Sequence, residues 1–189
     1  DPNPLVAGLG SQILKDAGIM AAAFVDSCPT ASAETLEKIQ QDLEEVCEHF
    51  LYNFREKKVF VSLKVASSLD GQMALKSGES QWITDEVSRE VAHLLRAAHD
   101  AVVVGRGTIL QDNPRLSIRH PQFAGLKKKV IVLDSRGDIL KNPEKYQLFK
   151  EHDPKDLIFV TDPEVQKQMK NTKGVGILPT RQNMNEFLR

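Results

Sequence analysis

Two stretches of the chain concentrate the residue types that handle anions and cofactors. The first runs Ala66-Ser67-Ser68-Leu69-Asp70-Gly71, then Gly78-Glu79-Ser80-Gln81-Trp82-Ile83-Thr84. The second runs Gly105-Arg106-Gly107-Thr108, then Asp112-Asn113-Pro114-Arg115-Leu116-Ser117-Ile118-Arg119. Glycines just after an apolar run let the backbone approach a ligand closely, and the N–H groups and hydroxyls beside them suit phosphate. Guanidinium groups such as Arg96 and Arg119 recognise phosphate bidentately. Trp82, the single tryptophan, offers a flat face to a ring. The same words also read as ordinary turns, since Asp70-Gly71 and Asn113-Pro114 are common turn pairs. Arginines on a polar helix face or in a loop are usually solvated. Asp70 is expected to serve its turn, and Arg89 and His93, on the helix face of Arg96, to be solvated. Leu110 stands where a dinucleotide fingerprint needs its third glycine after Gly105-x-Gly107, so no Rossmann motif is present.

These loops must be held by regular elements, and the periodicity places them. Ser32 is a suitable N-cap for a helix whose apolar stripe is Leu36, Ile39, Leu43, Val46 and Phe50. Val59 to Val65 reads as a strand. A second helix is expected from about Asp85 to Ala98, capped by Thr84, with Asp85 and Glu86 on the positive end of its dipole. Its apolar face is Val87, Val91, Leu94, Leu95 and Ala98. The runs Ala101–Val104, Lys129–Leu133 and Leu157–Val160 are nearly all apolar, as for strands buried on both faces. A short helix at Val165 to Lys170, a strand at Val175–Leu178 and a new helix near Phe187-Leu188-Arg189 complete the reading. Helices alternating with buried strands argue α/β.

Composition narrows the class of function. Lys and Arg number 25 against 26 Asp and Glu over 189 residues, a formal net charge of −1, which gives no broad cationic field for nucleic acid or an anionic membrane. Hydrophobic content of 41% with 27% charged residues is globular. Cys28 and Cys47 cannot build a disulfide framework, no segment reads as a signal peptide, and no apolar run approaches membrane-spanning length. A cytoplasmic location is expected. The first residue is Asp, which suggests a piece of a longer chain.

Three words, in this order and spacing, carry a resemblance: Lys64-Val65-Ala66-Ser67-Ser68-Leu69-Asp70-Gly71, Gly78-Glu79-Ser80-Gln81-Trp82-Ile83-Thr84, and Asp100 to Gly105 with Thr108, Asp112, Pro114, Leu116 and Arg119. They resemble the reductase domain of the riboflavin-pathway bifunctional deaminase/reductase. Asp1-Pro2-Asn3-Pro4-Leu5-Val6-Ala7-Gly8 with Ala17-Gly18-Ile19 is similar to the tail of the deaminase domain that precedes it. The resemblance is specific to about Ser135 and architectural beyond.

It implies a dihydrofolate-reductase-like α/β fold, a mostly parallel sheet flanked by helices and incomplete at its C-terminus. Residues 1–30 would be the deaminase remnant, 31–56 a linking helix and 57–189 the reductase domain. The implied reaction is NADPH-dependent reduction of the ribosyl group of 5-amino-6-(5-phosphoribosylamino)uracil. By position, Ser80, Arg96, Leu116 and Arg119 match substrate contacts, and Ala66, Trp82, Thr108, Asp112 and Ser135 match NADPH contacts. No proton donor is identified, and water can serve. A homodimer through the reductase domain is expected by analogy. Arg136, after Ser135, is placed to meet the cofactor's 2′-phosphate. The family's deaminase half uses a zinc site with an H-x-E and a P-C-x-x-C word. Neither word occurs here, so no metal is expected. The family's glycine-rich, glutamate-bearing segment over the cofactor phosphates does not occur before Arg189, which puts activity of the chain by itself in doubt. Two alternatives stay open, a pterin or other pyrimidine reductase of the same fold and a non-catalytic dimerising fragment.

Overall fold

Runs of Val, Ile and Leu set the sheet. Strands β1 (Ala101–Gly105), β2 (Lys129–Leu133), β3 (Leu157–Thr161) and β4 (Gly176–Pro179) lie in the order β1-β2-β3-β4, every neighbouring pair parallel. The computed structural model describes residues 3–80, 82–169 and 174–179. Val102 pairs with Val130, and Ile131 with Ile158. Parallel strands covered on both faces are nearly all apolar, as β2 is after Lys129 and β3 is before Thr161. Val130, Val132, Leu157 and Phe159 are fully buried and, with Ile109, Ile139 and Leu148, form the core. No described helix is long and apolar enough to cross a membrane.

The described residues fall into two compact units, residues 3–62 and residues 63–179. The first is helical, with α1 (Leu9–Asp16), α2 (Phe24–Ser27), α3 (Ala33–Val46) and α4 (Glu48–Glu56). Ser32 caps α3, its Oγ accepting from the Thr35 N–H at 3.2 Å. The stripe that runs on to Phe50 in sequence is divided between two helices, because the chain breaks at Cys47 before α4 starts. The Arg55 guanidinium donates to both Glu44 carboxylate oxygens, at 3.0 and 3.2 Å, and ties α4 to α3.

The second unit holds the sheet and the helices that serve it: α5 (Glu86–Ala98), α6 (Arg106–Asp112), α7 (Leu148–Glu151) and α8 (Pro163–Gln168). α5 is capped by Asp85, not Thr84: the Asp85 carboxylate accepts the Ser88 N–H at 2.8 Å, and the Ser88 hydroxyl, then this N–H, hold that carboxyl below its usual range. A charged acceptor serves the positive end of the helix better than a hydroxyl. The α8 helix starts at Pro163 and β4 one residue later than the pattern suggested. The helix expected near Phe187 lies outside the described residues.

Val59 to Val65 is not a strand. It makes no ladder with β1 to β4, and Val61, Leu63 and Val65 are 66%, 88% and 51% exposed. β-propensity records how a side chain fits a pleated surface, and without a partner ladder an extended segment remains coil. Phe60 is held locally, its N–H donating to Asn53 Oδ1 at 2.9 Å.

Candidate active site

β1 and β2 are parallel neighbours, so the turns leaving their carboxyl ends emerge side by side, where open α/β sheets bind ligands. Gly105 leads straight into α6, whose first residue is Arg106. After β2 the chain turns through Asp134 to Gly137, with the Gly137 N–H donating to the Asp134 carbonyl at 3.0 Å. Gly137 is fixed in the left-handed region at φ 66°, and a Cβ there would lie 2.6 Å from Val165 Cγ1. Only glycine fits between this turn and α8. Asp134 is fully buried and accepts the Ile139 N–H at 2.9 Å. These bonds leave Ser135 and Arg136 exposed at the tip.

Arg106 crosses to this turn, its guanidinium 3.0 Å from Asp138. Lys141 binds the same carboxylate at 2.9 Å, and with Arg106 and Arg136 nearby the Asp138 carboxyl is held below its usual range, chiefly by the Lys141 hydrogen bond. Three cations around one carboxylate leave a net positive patch. Thr108 and Asp112, four residues apart and so on one face of α6, are both exposed. A Cβ at Gly105 or Gly107 would meet nothing within 4 Å, so the backbone there is open to close approach. Cations, hydroxyls and open backbone at one strand end fit a group bearing phosphates.

The other end of α6 leads into a second cluster. Asn113 adopts φ 40° and closes α6; its side chain accepts the Gln147 N–H at 2.8 Å and donates to the Lys145 carbonyl at 3.2 Å. The following loop is pinned at alternate residues. The Arg115 carbonyl accepts from His152 Nε2 at 2.8 Å, the Ser117 carbonyl accepts from the Arg96 guanidinium at 2.7 Å, and the Arg119 N–H donates to His93 Nδ1 at 3.2 Å. Between them Leu116 is buried in the left-handed conformation, φ 58°. A branched-chain residue pays for that geometry, of order 1–2 kcal/mol, and keeps it only where its surroundings impose it. Burial and the charge of Arg119 both depress the Arg96 pKa, and no carboxylate pairs with either arginine among the described residues. Burial, then Arg96, Arg119 and His120, push His93 below its usual range. Two guanidiniums and two imidazoles close enough to interact, with no counterion among the described residues, suit an anion.

The remaining expected site residues lie on the loop before α5. The Gly78 carbonyl accepts from Gln111 Nε2 at 2.7 Å, which ties the strand-like turn leading to Ser80 onto α6. Trp82 is 71% exposed, with the Arg89 guanidinium 4.5 Å from its ring centroid. Arg89 also donates to the Thr84 carbonyl at 2.8 Å, so it is not simply solvated: it covers one face of the indole and leaves the other. Asp70 bonds Ser68 inside a turn closed by Gly71 at φ 79°.

Among the expected residues, then, Arg96, Leu116 and Arg119 come together, Thr108 and Asp112 share α6, and Arg106 bridges that helix to the turn of Ser135. Ala66 is half-buried in the extended segment, and no hydrogen bond ties it to the others. The sequence reading gave Arg106 no role and took Arg89 and His93 as solvated, whereas Arg106 pairs with Asp138, Arg89 covers Trp82 and His93 bonds the Arg119 N–H. The spacing of His93, three residues before Arg96 on one helix face, was the available signal for the last.

The described geometry can be set beside known proteins. The model of the RibD C-terminal domain matches residues 59–189, more than half of the chain. The chain belongs to the RibD C-terminal domain family. It is 38% identical over 137 residues to the riboflavin biosynthesis protein RibD of Bacillus amyloliquefaciens, covering 72% of this chain and 33% of that protein. It is 39% identical over 119 residues to RibD of Escherichia coli K12, covering 63% and 29%. A solved Thermotoga maritima diaminohydroxyphosphoribosylaminopyrimidine deaminase/5-amino-6-(5-phosphoribosylamino)uracil reductase superposes with a TM-score of 0.73 at 30% identity, over 100% of this chain and 47% of that one. Acinetobacter baumannii RibD, form 1, superposes at 0.70, also at 30% identity, over 100% of this chain and 48% of that one. The chain therefore spans between 29% and 48% of the length of these RibD proteins. Its parallel sheet flanked by helices is the dihydrofolate-reductase-like fold of the RibD reductase domain.

Proposed function

We propose that this chain is the reductase part of a RibD protein and reduces the ribosyl group of 5-amino-6-(5-phosphoribosylamino)uracil, with NADPH as cofactor. The observation that carries the reading is the proximity of Arg96 and Arg119 with no counterion among the described residues, beside the pinned, left-handed Leu116. A phosphorylated substrate would complete that charge. Arg96 and Arg119 hold the phosphate, Leu116 packs beside the sugar, and Ser80 contributes a hydroxyl on the loop tied to α6.

The second cluster suits NADPH by its donor set, with the Thr108 and Ser135 hydroxyls and the open backbone at Gly105 and Gly107. Asp112 follows Thr108 on the same helix face, Trp82 presents a free indole face, and Ala66 belongs to the extended approach. Arg106 and Arg136 are the cations available to a 2′-phosphate. When bound, NADPH supplies the hydride that turns the opened glycosylamine carbon into the ribityl methylene. The protein aligns the two partners and neutralises phosphate charge, and water is sufficient as proton source.

The same reading makes residues 1–30 the tail of a deaminase domain, 31–56 a link and 57–189 the reductase domain. The division of compact units after Ser62 supports a boundary in this region. It also carries a cytoplasmic location and pairing of two copies through the reductase domain. The test is hydride transfer from 4-deuterated NADPH, offered 5-amino-6-(5-phosphoribosylamino)uracil or dihydrofolate in turn. Deuterium at the ribityl carbon, with dihydrofolate untouched, is the expected result. Consumption of dihydrofolate alone would move the chain to a pterin reductase.

A further inference from the structure

We propose that His93 is a positioning residue for the phosphate of the substrate, acting through Arg119; this rests on the reading of Arg96 and Arg119 as the phosphate site. His93 lies one helical turn before Arg96 on α5, and its Nδ1 accepts the backbone N–H of Arg119 at 3.2 Å. A backbone N–H can only donate, so Nδ1 carries no proton and the neutral ring keeps its hydrogen on Nε2. The neighbouring His120 likewise accepts a backbone N–H, that of Gln122, on its Nδ1 at 3.3 Å. Burial, and then the facing groups Arg96, Arg119 and His120, push the ring below the ordinary histidine range and so favour its neutral form. An imidazolium here would lose the Arg119 bond and add a charge to a cluster already lacking a counterion.

The bond matters because of where it stands in the loop. Arg119 follows directly on the pinned stretch in which His152 holds the Arg115 carbonyl and Arg96 holds the Ser117 carbonyl. The side chain of Arg119 is exposed and has no carboxylate partner among the described residues. Its backbone bond to His93 is therefore what aims it beside Arg96. His93 touches neither substrate nor cofactor in this account. It sets the direction from which the second guanidinium arrives.

The test uses ribose 5-phosphate and ribose as probes, titrated into the full chain. The wild-type protein is expected to bind ribose 5-phosphate and to show no saturable binding of ribose. Equal binding of both would overturn the phosphate site and this inference with it. With that preference present, His93→Leu should weaken ribose 5-phosphate about five- to tenfold, the effect of one hydrogen bond of about 1 kcal/mol. His93→Asn, whose Oδ1 takes the place of Nδ1, should restore most of it. In an Arg119→Ala background, His93→Leu should cost nothing further. An equal loss in His93→Asn, or additive losses in the double variant, would overturn the role of His93 while leaving the phosphate site standing. Should His93→Leu not fold, nitrogen-15 spectra of the wild-type imidazole decide. A proton on Nε2 and an Nδ1 resonance that moves with ribose 5-phosphate support the proposal; a proton on Nδ1 overturns it.

Discussion

Replacing Arg96 with methionine should separate ligand binding from stability, because the two respond to different parts of its environment. Arg96 gives one strong bond to the Ser117 carbonyl, at 2.7 Å. Losing a hydrogen bond from a charged donor costs about 1.5–3 kcal/mol. Against that, methionine removes a half-buried charge that interacts with Arg119 and has no carboxylate partner among the described residues. Repulsion between two like charges at an effective dielectric of about 20 is on the order of 1–2 kcal/mol near a protein surface, an upper value here since Arg119 is exposed and screened. The two effects nearly cancel, so the free protein should change by no more than about 1 kcal/mol, which is roughly 3–5 °C in Tm for a unit of this size. The wild type, at ribose 5-phosphate ten times its Kd, should gain about 1.4 kcal/mol by mass action. Arg96→Met should lose that gain, since one charge-assisted contact is worth at least about tenfold in affinity. Thermal unfolding with and without ribose 5-phosphate reads both quantities in one experiment. A large drop in the melting temperature of the free variant with the ligand shift intact would refute the reasoning, since Arg96 would then be a structural strut.

Other consequences are open to the same kind of measurement. Arg106→Ala and Arg136→Ala should each reduce the preference for NADPH over NADH by about tenfold, one charged hydrogen bond being worth about 1.5 kcal/mol; an unchanged preference removes the residue from the 2′-phosphate. His152→Phe orphans the Arg115 carbonyl and should destabilise the sheet unit by about 1–3 kcal/mol in urea unfolding. Lys129 holds the Asp156 carboxyl below its usual range through a 2.8 Å bond. A depressed carboxyl adds stability above its ordinary pKa and loses it as the pH falls through the native value. Lys129→Met should therefore be less stable than the wild type at neutral pH, with the gap closing on acidification. A gap that stays constant with pH would assign the effect to packing. His93 is depressed as an imidazole, so the unfolded chain takes up its proton first as the pH falls. Its contribution to stability declines from the ordinary histidine range downward, and its NMR titration should have a midpoint below that range.

How much of this was legible in the residues varies with what each feature depends on. β1, β2 and β3 were plain as apolar runs, but only β2 and β3 are buried on both faces; in β1 Val103 is 51% exposed, so burial was read too far there. α5 was plain by its stripe, although its cap was placed one residue early, on a hydroxyl beside a better acceptor. Val59 to Val65 misled because its pattern records propensity, while a strand needs a partner, and no described strand pairs with it. The arginines proposed to hold phosphate were named through resemblance; on composition alone they are ordinary surface cations. Their missing counterions, the left-handed Leu116 and the bond from Arg119 to His93 arise from contacts between residues 21 to 37 positions apart. No local pattern encodes those. Arg106 escaped notice for the same reason, since Asp138 lies 32 residues along the chain.

The most direct measurement is a crystal structure of the protein grown with NADPH and ribose 5-phosphate. The account predicts the phosphate between the guanidiniums of Arg96 and Arg119, and the dinucleotide along Thr108 and Ser135 with Trp82 beside it. Ligands on unrelated surfaces, or a phosphate bound away from both arginines, would contradict it.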